Sequence, residues 1–217
     1  SKNAVSSGPV DQPDLIWALN DNGGLARRVN GNWEIVVGDR HSFLNQNSTN
    51  ITSAAASSGS PTSKWLVLGS RDSGIGIYDN SAHSWREEIR SEIAKAIGSK
   101  TGISFVVWFK EKFWVVTDQN RIFTISIRGD GSNSGDIVVA NYGVPGLPGR
   151  PIVRIKDFEV DQGQSCIWLL AETGSADKSL KTKDCTYLAR ITGQKDSPKV
   201  LLDERNVYPD LSNAVVQ

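Results

Sequence analysis

The stretch Trp65-Leu66-Val67-Leu68, followed by the turn Ser70-Arg71-Asp72-Ser73-Gly74 and by Ile75-Gly76-Ile77-Tyr78, decides the fold class. It consists of a short apolar strand, a polar turn and a second apolar strand. A second turn, Asp79 to Ser84, leads into a third strand predicted from Trp85 to Ile89. Turns rich in Asp, Asn and Gly match the right-handed twist of the antiparallel strands that they connect. The stretch therefore predicts an antiparallel β-meander.

The same order of strands and turns recurs around three further tryptophans, Trp17, Trp114 and Trp168. An additional strand precedes three of the four copies, at Ile51–Ala56, Ile103–Phe109 and Ile152–Val160. The unit is therefore four strands in about fifty residues, which is the size of a propeller blade. A single sheet of this kind cannot cover both of its faces, so such units stack radially and bury their tryptophans between them.

These repeats predict an all-β fold: a β-propeller of about four four-stranded blades, or part of a larger propeller. We expect an N-terminal arm at residues 1–14, blades at residues 15–204 and a C-terminal tail at residues 205–217. The inner strand of the first blade comes either from Lys2–Ser7 or from Asn213–Val216, which would close the ring. Alternatively, the tail begins a further blade supplied by the rest of the protein.

One segment between two blades has a different periodicity. Within residues 86–98, Ile89, Ile93 and Ile97 are spaced by four and the segment ends in Gly98. This pattern predicts a short amphipathic helix that inserts into the β structure. Its apolar stripe either seals the disc of blades or binds a partner.

The charge balance limits the classes of partner. The chain carries 24 basic and 24 acidic residues, so its formal net charge is zero. It lacks the positive field with which nucleic-acid and anionic-membrane binders attract their targets. No apolar run approaches the roughly 20 residues of a membrane helix. We expect a soluble chain with no nucleic-acid partner and no membrane insertion.

The cysteines, Cys166 and Cys185, are too few for a disulfide scaffold and lack the spacing of a zinc site. We interpret them as small buried hydrophobic residues and predict no metal and no cofactor. So few cysteines favour an intracellular protein. Two glycosylation sequons, at Asn47 and Asn50, and a chain that begins at Ser1 rather than at methionine fit secretion instead. Both locations stay open.

Catalytic motifs are missing from the sequence. The two histidines, His41 and His83, lie far apart in predicted loops, which disfavours a Ser-His-Asp or Cys-His site. The sequence has no phosphate-binding loop, no Gly-x-Ser-x-Gly elbow and no HExxH helix. We therefore expect a protein that is not an enzyme. The alternative is a propeller glycosidase, in which two carboxylates would face each other across a cleft.

A resemblance to a known repeat rests on the first copy. Ile16-Trp17-Ala18-Leu19-Asn20 and Gly31-Asn32-Trp33-Glu34 resemble the tectonin or tachylectin type of propeller repeat. Members of that group are sugar-binding or other recognition modules, so the resemblance implies a carbohydrate ligand as an alternative. The third and fourth copies lack the Gly-Asn-Trp corner, which argues against a sugar site in every blade. The signature dipeptides of WD40 repeats are also missing.

We count the strands of each blade from the inner to the outer one. The turns between the second and third strands and the connections between blades then lie on the same face of the disc. This face is the predicted binding site, and two tryptophans at the start of outer strands are added to it. The candidate ligand-binding residues are Asp21, Asn22, Trp33, Arg71, Asp72, Trp85, Asp118 and Gln119. We expect a non-catalytic recognition or scaffold module that binds a protein or peptide partner.

Overall fold

The computed structural model describes residues 4–6, 16–19, 25–29, 32–37, 51–57, 63–143, 152–174, 185–192 and 199–203. These residues form sixteen strands and one α-helix. The strands are β1 (Ala4–Ser6), β2 (Ile16–Leu19), β3 (Leu25–Val29), β4 (Asn32–Val37), β5 (Ile51–Ala56), β6 (Trp65–Ser70), β7 (Gly74–Asp79) and β8 (Ser84–Trp85). After α1 (Glu87–Ile97) come β9 (Ile103–Phe109), β10 (Lys112–Thr117), β11 (Ile122–Ile127), β12 (Ile137–Asn141), β13 (Ile152–Asp161), β14 (Cys166–Thr173), β15 (Cys185–Ile191) and β16 (Lys199–Asp203).

The strands form four sheets of four strands each, and in every sheet the strands pair in sequence order. We number them sheet 1 (β1–β4), sheet 2 (β5–β8), sheet 3 (β9–β12) and sheet 4 (β13–β16). All pairs are antiparallel, so each sheet is a meander of the propeller-blade type. The predicted fold class is confirmed for the described residues: an all-β fold of four four-stranded blades with one helical insertion, which is a β-propeller or part of a larger one.

The inner strands follow the predictions. The three strands expected ahead of the second, third and fourth copies are β5, β9 and β13. Sheet 1 takes its inner strand from the N-terminal segment, because Ala4–Ser6 pairs with β2. The other proposed source, Asn213–Val216, lies outside the described residues. The expected domain boundaries near residues 14 and 204 also lie outside them and stay predictions.

The chain divides into two compact units, Ser1–Tyr142 with sheets 1 to 3 and Gly143–Gln217 with sheet 4. Within the first unit, sheets 2 and 3 meet through their inner strands. Thr52 Oγ1 donates to the Ile103 carbonyl at 2.6 Å, and Ser53 Oγ lies 3.0 Å from the Val106 carbonyl oxygen and 3.0 Å from its amide nitrogen. Small hydroxyl side chains therefore replace strand pairing where the two blades approach each other.

Helix α1 covers the junction of sheets 2 and 3. Ile89, Ile93 and Ile97 are at most 2% exposed, and the helix contacts β7 and β12. This burial confirms the predicted helix and favours the sealing role of its apolar stripe over partner binding. The strand predicted from Trp85 to Ile89 is wrong beyond Trp85, because the isoleucine spacing and the acidic first turn favour a helix there.

Sheet 4 in the second unit shows a different burial pattern. Along β14, Ile167, Leu169 and Ala171 are buried, whereas Trp168 and Leu170 are only half-buried. This alternation is typical of a sheet with one well-covered face.

The two cysteines lie on neighbouring strands, Cys166 at the start of β14 and Cys185 at the start of β15. Cys166 begins this strand as a buried free thiol, in agreement with its interpretation as a small hydrophobic residue. Cys185 pairs with Thr173 at the far end of β14. At about 3.3 Å per residue, the two positions are roughly 20 Å apart, well beyond the reach of a disulfide. Cys166 and Cys185 therefore do not pair with each other.

Candidate functional site

Two turns and one connection between blades meet at one edge of sheets 2 and 3. The β6–β7 turn is Arg71–Ser73, the β10–β11 turn is 118–121, and the connection is 98–102. The Asp118 amide donates to the Gly102 carbonyl at 2.9 Å. A Cβ atom on Gly102 would lie 2.4 Å from the Arg71 carbonyl oxygen and 2.8 Å from Asp118 Oδ2. Only glycine allows this close approach, and we call the resulting surface the turn face.

The turn face presents polar side chains of both charges. Arg71, Asp72, Asp118 and Gln119 are all exposed, and the structure brings them together as predicted for second-to-third-strand turns. No hydrogen bond or ion pair joins the side chain of Arg71 to that of Asp118. Within sheets 2 and 3, the expected convergence of turns and blade connection on one face is therefore observed.

The backbone beneath these side chains is held by local hydrogen bonds. Ser70 Oγ accepts from the Asp72 amide at 3.3 Å and from the Ser73 amide at 3.1 Å. In the other turn, Thr117 Oγ1 accepts from the Arg121 amide at 3.1 Å, and Asn120 has a φ of 58°, which asparagine tolerates better than most residues. Both turns are thus fixed in shape while their charged ends face solvent.

Arg90 of α1 supports the β6–β7 turn from below. Its Nε donates to the Ile75 carbonyl at 3.0 Å, and its Nη2 lies 3.4 Å from the Ser73 carbonyl oxygen. Its Nη1 pairs with Glu87 at 2.8 Å on the same helix. This arginine was not predictable from the sequence, because it bonds to main-chain carbonyls, which leave no pattern of residue types.

Arg121 plays the corresponding part beneath the β10–β11 turn. Its Nη2 donates to the Ile97 carbonyl at 2.9 Å, and Thr101 Oγ1 donates to the same oxygen at 3.2 Å. The guanidinium also lies over the Phe123 ring, 5.3 Å from its centroid. A cation at a helix C-terminus is favourable because the last carbonyls carry partial negative charge. Arg121 therefore ties the end of α1 to sheet 3.

A small depression lies beside the turn face, between the β6–β7 turn and the end of α1. We call it the Ser73 pocket. Its volume of about 10 Å³ accommodates a single oxygen-sized group. The residues that line it are Ser73, Gly74, Ile75, Arg90, Ala94, Ile97, Gly98, Ser99 and Thr101.

The two outer-strand tryptophans differ sharply. Trp33 on β4 is 53% exposed, with exposed Asn32 before it and half-buried Arg28 opposite it in the sheet. Trp85 is 7% exposed and packs edge-on against Tyr78, with ring centroids 5.5 Å apart. Its assignment to a ligand-binding surface is therefore corrected: β8 is short, and Trp85 turns into the core of sheet 2.

Four further candidate residues have no described position. Asp21, Asn22 and the sequon residues Asn47 and Asn50 lie outside the described residues. Among the residues that the structure describes, no group of three or more His, Cys, Asp or Glu side chains could hold a metal ion. No helix in the described part of the chain is long and apolar enough to cross a membrane.

The opposite edge of sheets 2 and 3 carries a structural cluster around Asp79. This carboxylate accepts from the Ser81 hydroxyl at 2.6 Å and from Arg86 Nη1 at 3.1 Å, and the Ala82 amide also donates to it at 3.1 Å. Burial alone would raise the pKa of Asp79. The hydrogen bonds from Ser81 and Ala82 and the charge of Lys64 outweigh that effect and hold the pKa below its ordinary value of 3.8.

Arg86 extends this cluster to sheet 3. Its Nη1 also donates to the Asp130 carbonyl at 3.1 Å, in the β11–β12 connection, and its guanidinium lies 5.7 Å from the Trp65 ring centroid. Lys64 approaches the same ring and donates to the Gly129 carbonyl at 2.8 Å. The stretch Gly129–Asn133 is therefore a turn clamped by two cations.

No family model matches this chain, and no curated protein matches its sequence. Among solved structures, it is similar to the β-propeller domain of Cps50 (Swd1) from Myceliophteria thermophila, at 12% identity and a TM-score of 0.46, over 87% of this chain and 54% of that one. It is similar to the Pan2 WD40 domain from Neurospora crassa at 9% identity and a TM-score of 0.47, over 88% and 48%. It is similar to YCF48 from Cyanidioschyzon merolae at 12% identity and a TM-score of 0.48, over 87% and 56%. The chain spans about half the length of these structures.

Proposed function

We propose that the chain is a non-catalytic recognition module that binds a protein or peptide partner through the turn face. The convergence of Arg71 and Asp118 on Gly102 is the observation that carries this proposal. It brings the backbone of the turn that carries Arg71 and the carboxylate of Asp118 against the same blade connection, so that exposed side chains of both charges belong to one surface with a fixed backbone. Such a surface can form hydrogen bonds and ion pairs with a partner while losing little conformational entropy on binding.

The size of the neighbouring pocket favours a macromolecular partner over a small molecule. Pockets that enclose small ligands usually measure about 300–1,000 Å³. The Ser73 pocket measures about 10 Å³. A ligand here therefore makes most of its contacts with an open surface, as one partner does in a protein–protein interface.

The proposal is tested with a random peptide library displayed on phage and selected on the immobilised 217-residue chain. Selected peptides are then titrated against the wild type, Arg71→Glu and Asp118→Lys. We expect each charge reversal to weaken binding by at least about tenfold, because each replaces an attraction with a repulsion.

Arg128→Glu is the matched control. Arg128 is exposed like Arg71 but lies after β11, at the edge of sheet 3 opposite the turn face. The substitution Arg128→Glu changes the net charge by the same amount as Arg71→Glu, and we expect it to leave the affinity for the selected peptides unaltered. If all three variants bind the selected peptides equally well, the turn face is not the binding surface.

Trp33 supports a second candidate function, carbohydrate binding. An exposed tryptophan offers a flat apolar face on which a sugar ring can stack, and Arg28, directly opposite it on β3, supplies hydrogen-bond donors on the same face of the sheet. The residues around Trp33 are also those that resemble a tectonin repeat. A glycan array probed with the wild type and with Trp33→Ala tests this function. Binding that is lost in the variant supports it, and a blank array rejects it.

The non-catalytic part of the proposal has its own test. The chain is incubated with a panel of chromogenic glycosides, because a propeller glycosidase is the enzyme class that competes with a binding module here. We expect no release of chromophore above the buffer rate. Hydrolysis that one Asp→Asn or Glu→Gln substitution abolishes would show that the chain is an enzyme.

A further inference from the structure

We infer that the Ser73 pocket receives a side-chain carboxylate of the partner, so that the preferred ligand is a peptide with an Asp or Glu residue. This inference rests on the proposed function and names the chemistry of its ligand. It is drawn from the hydrogen-bonding capacity that remains in and around the pocket.

The acceptors of the pocket are already occupied. The Ile97 carbonyl accepts from both Arg121 and Thr101, and the carbonyls of Ile75 and Ser73 face Arg90. A ligand that brings a donor therefore has to share these carbonyls with a guanidinium. A cationic or amide-donating ligand is disfavoured for this reason.

Donors remain. Ser73 Oγ is buried and has no hydrogen-bond partner among the described residues, and the same holds for Arg121 Nε. Arg121 lies behind Gly98, because its Nη2 would be 3.9 Å from a Cβ atom at that position. A buried polar atom without a partner is uncommon and is usually satisfied by a water or a ligand. The groups without partners here are a hydroxyl and a guanidinium N–H.

The charged side chains around the Ser73 pocket also favour an anionic ligand. Arg90 lines the pocket, Arg121 lies next to it, and Lys100 is exposed in the same connection. Glu87 pairs with Arg90, and Asp72 and Asp118 lie on the adjoining turn face, so that with Arg71 four cations stand against three acids around the pocket. A surplus of positive charge together with a free hydroxyl donor suits a carboxylate oxygen. The pocket admits one such oxygen, and its small volume excludes a phosphate group.

Two glycines keep the entrance open. Gly74 has a φ of 74° and Gly98 a φ of 109°, values that side-chain-bearing residues rarely adopt. Ser73 lines the pocket, and Arg71 lies two residues before it in the same turn. A peptide that lies across the turn face therefore reaches the pocket with one acidic group while its neighbouring residues contact Arg71.

The experiment uses the full chain and two capped tripeptides, acetyl-Gly-Asp-Gly-amide and acetyl-Gly-Asn-Gly-amide. These differ by a carboxylate and a neutral amide of the same shape. Amide chemical shifts are followed by ¹H–¹⁵N NMR during titration. We expect the Asp peptide to shift the amides of Ser73, Gly74, Ser99 and Thr101, and the Asn peptide to leave them unchanged.

The discriminating variant is Ser73→Ala, with Ser91→Ala as the control on the exposed surface of α1. Because the Ser73 hydroxyl bonds to no described residue, its removal should leave the melting temperature nearly unchanged. We expect Ser73→Ala to bind the Asp peptide about tenfold more weakly, the effect of one hydrogen bond to a charged group, and Ser91→Ala to bind it like the wild type.

Equal shifts with both tripeptides, shifts with neither, or unaltered binding by Ser73→Ala would each overturn the inference. In those cases the pocket holds water alone. The proposed function is judged separately: if the selected peptides still depend on Arg71 and Asp118, only the carboxylate assignment fails. If they do not, the turn face itself is rejected.

Discussion

Trp114 in sheet 3 and Trp168 in sheet 4 occupy the same position of the repeat, the third residue of the second strand, yet their surroundings differ. Trp114 is 2% exposed, donates to the Phe109 carbonyl at 3.1 Å and packs against Tyr142. Trp168 is half-buried and donates to Asp161 at 3.2 Å. A repeat therefore reproduces the strand and the position of the indole, while the neighbours of the sheet decide how much of it is covered.

The same difference extends along the strands. Every residue from Phe113 to Thr117 is buried, whereas burial alternates along β14. Sheets 2 and 3 share one core with the stripe of α1. That core covers the face of β10 with Phe113 and Val115, and Trp114 and Val116 are buried on the other face, whereas sheet 4 has one face that is less fully covered.

The largest expected effect comes from removing the two equivalent indoles. Trp114→Ala should lower the free energy of unfolding by about 4 kcal/mol, because it leaves a cavity in a closed core. Trp168→Ala should lower it by roughly half as much, since solvent already reaches that ring. Urea unfolding followed by circular dichroism measures both. Equal losses would mean that the two sheets are covered to the same extent.

Two aspartates provide a second comparison: Asp79 at the end of β7 in sheet 2 and Asp161 at the end of β13 in sheet 4. Asp79→Asn should cost about 2 kcal/mol at pH 7, because a largely buried carboxylate with four hydrogen bonds is lost. Asp161 is more exposed, and a backbone hydrogen bond from Gln164 and one from Trp168 lower its pKa. Asp161→Asn should therefore have a smaller effect.

The pH dependence follows from the direction of the shift. A carboxyl whose pKa is lower in the folded state stabilises the fold above its unfolded pKa, near 4. That contribution disappears as the pH falls through the folded pKa. The gap between wild type and Asp79→Asn should therefore shrink between pH 5 and pH 2 in urea titrations, as an order-of-magnitude window. A gap that stays constant over this range would contradict the shift.

The smallest expected effect concerns the inner hairpins. In sheet 3 a two-residue loop, Lys110-Glu111, has φ values of 48° and 59°, although such loops favour Asn-Gly. Replacing the pair with Asn-Gly should raise the free energy of unfolding by about 1 kcal/mol. In sheet 4 the corresponding loop between β13 and β14 is longer, and Ser165 is its one non-glycine residue with a positive φ. Ser165→Gly should therefore raise the free energy of unfolding by roughly 0.5 kcal/mol. Thermal melts of the two variants compare these gains in stability. An Asn-Gly variant that melts below the wild type would show that the Lys110-Glu111 turn is not strained.

Several elements were predictable because their signals are local. Alternating apolar strands with Asp, Asn and Gly turns indicated the meanders, and the isoleucines at spacings of four indicated α1. The strand expected after Trp85 was wrong beyond one residue, because the same stretch also carries the helical period and the packing of Ile89 decided between the two. The site was predictable in part: Arg71, Asp72, Asp118 and Gln119 lie on one edge as expected from the order of strands in a blade.

Other features needed the three-dimensional structure. Arg90 and Arg121 act on main-chain carbonyls of segments distant in sequence, and no residue pattern announces such contacts. The burial of Trp85 and the exposure of Trp33 could not be separated either, since both begin an outer strand. The small Ser73 pocket arises where a turn, a helix end and a blade connection meet.

The sequence by itself determined the class of fold, the four-strand unit and the inserted helix, because hydrophobic periodicity and turn chemistry act over a few residues. The tertiary structure alone decided which tryptophans are covered, where Gly102 lets two turns approach the same blade connection, and which donors remain free beside the turn face. Those properties depend on contacts between segments far apart in the chain, and such contacts are set by packing rather than by any local pattern.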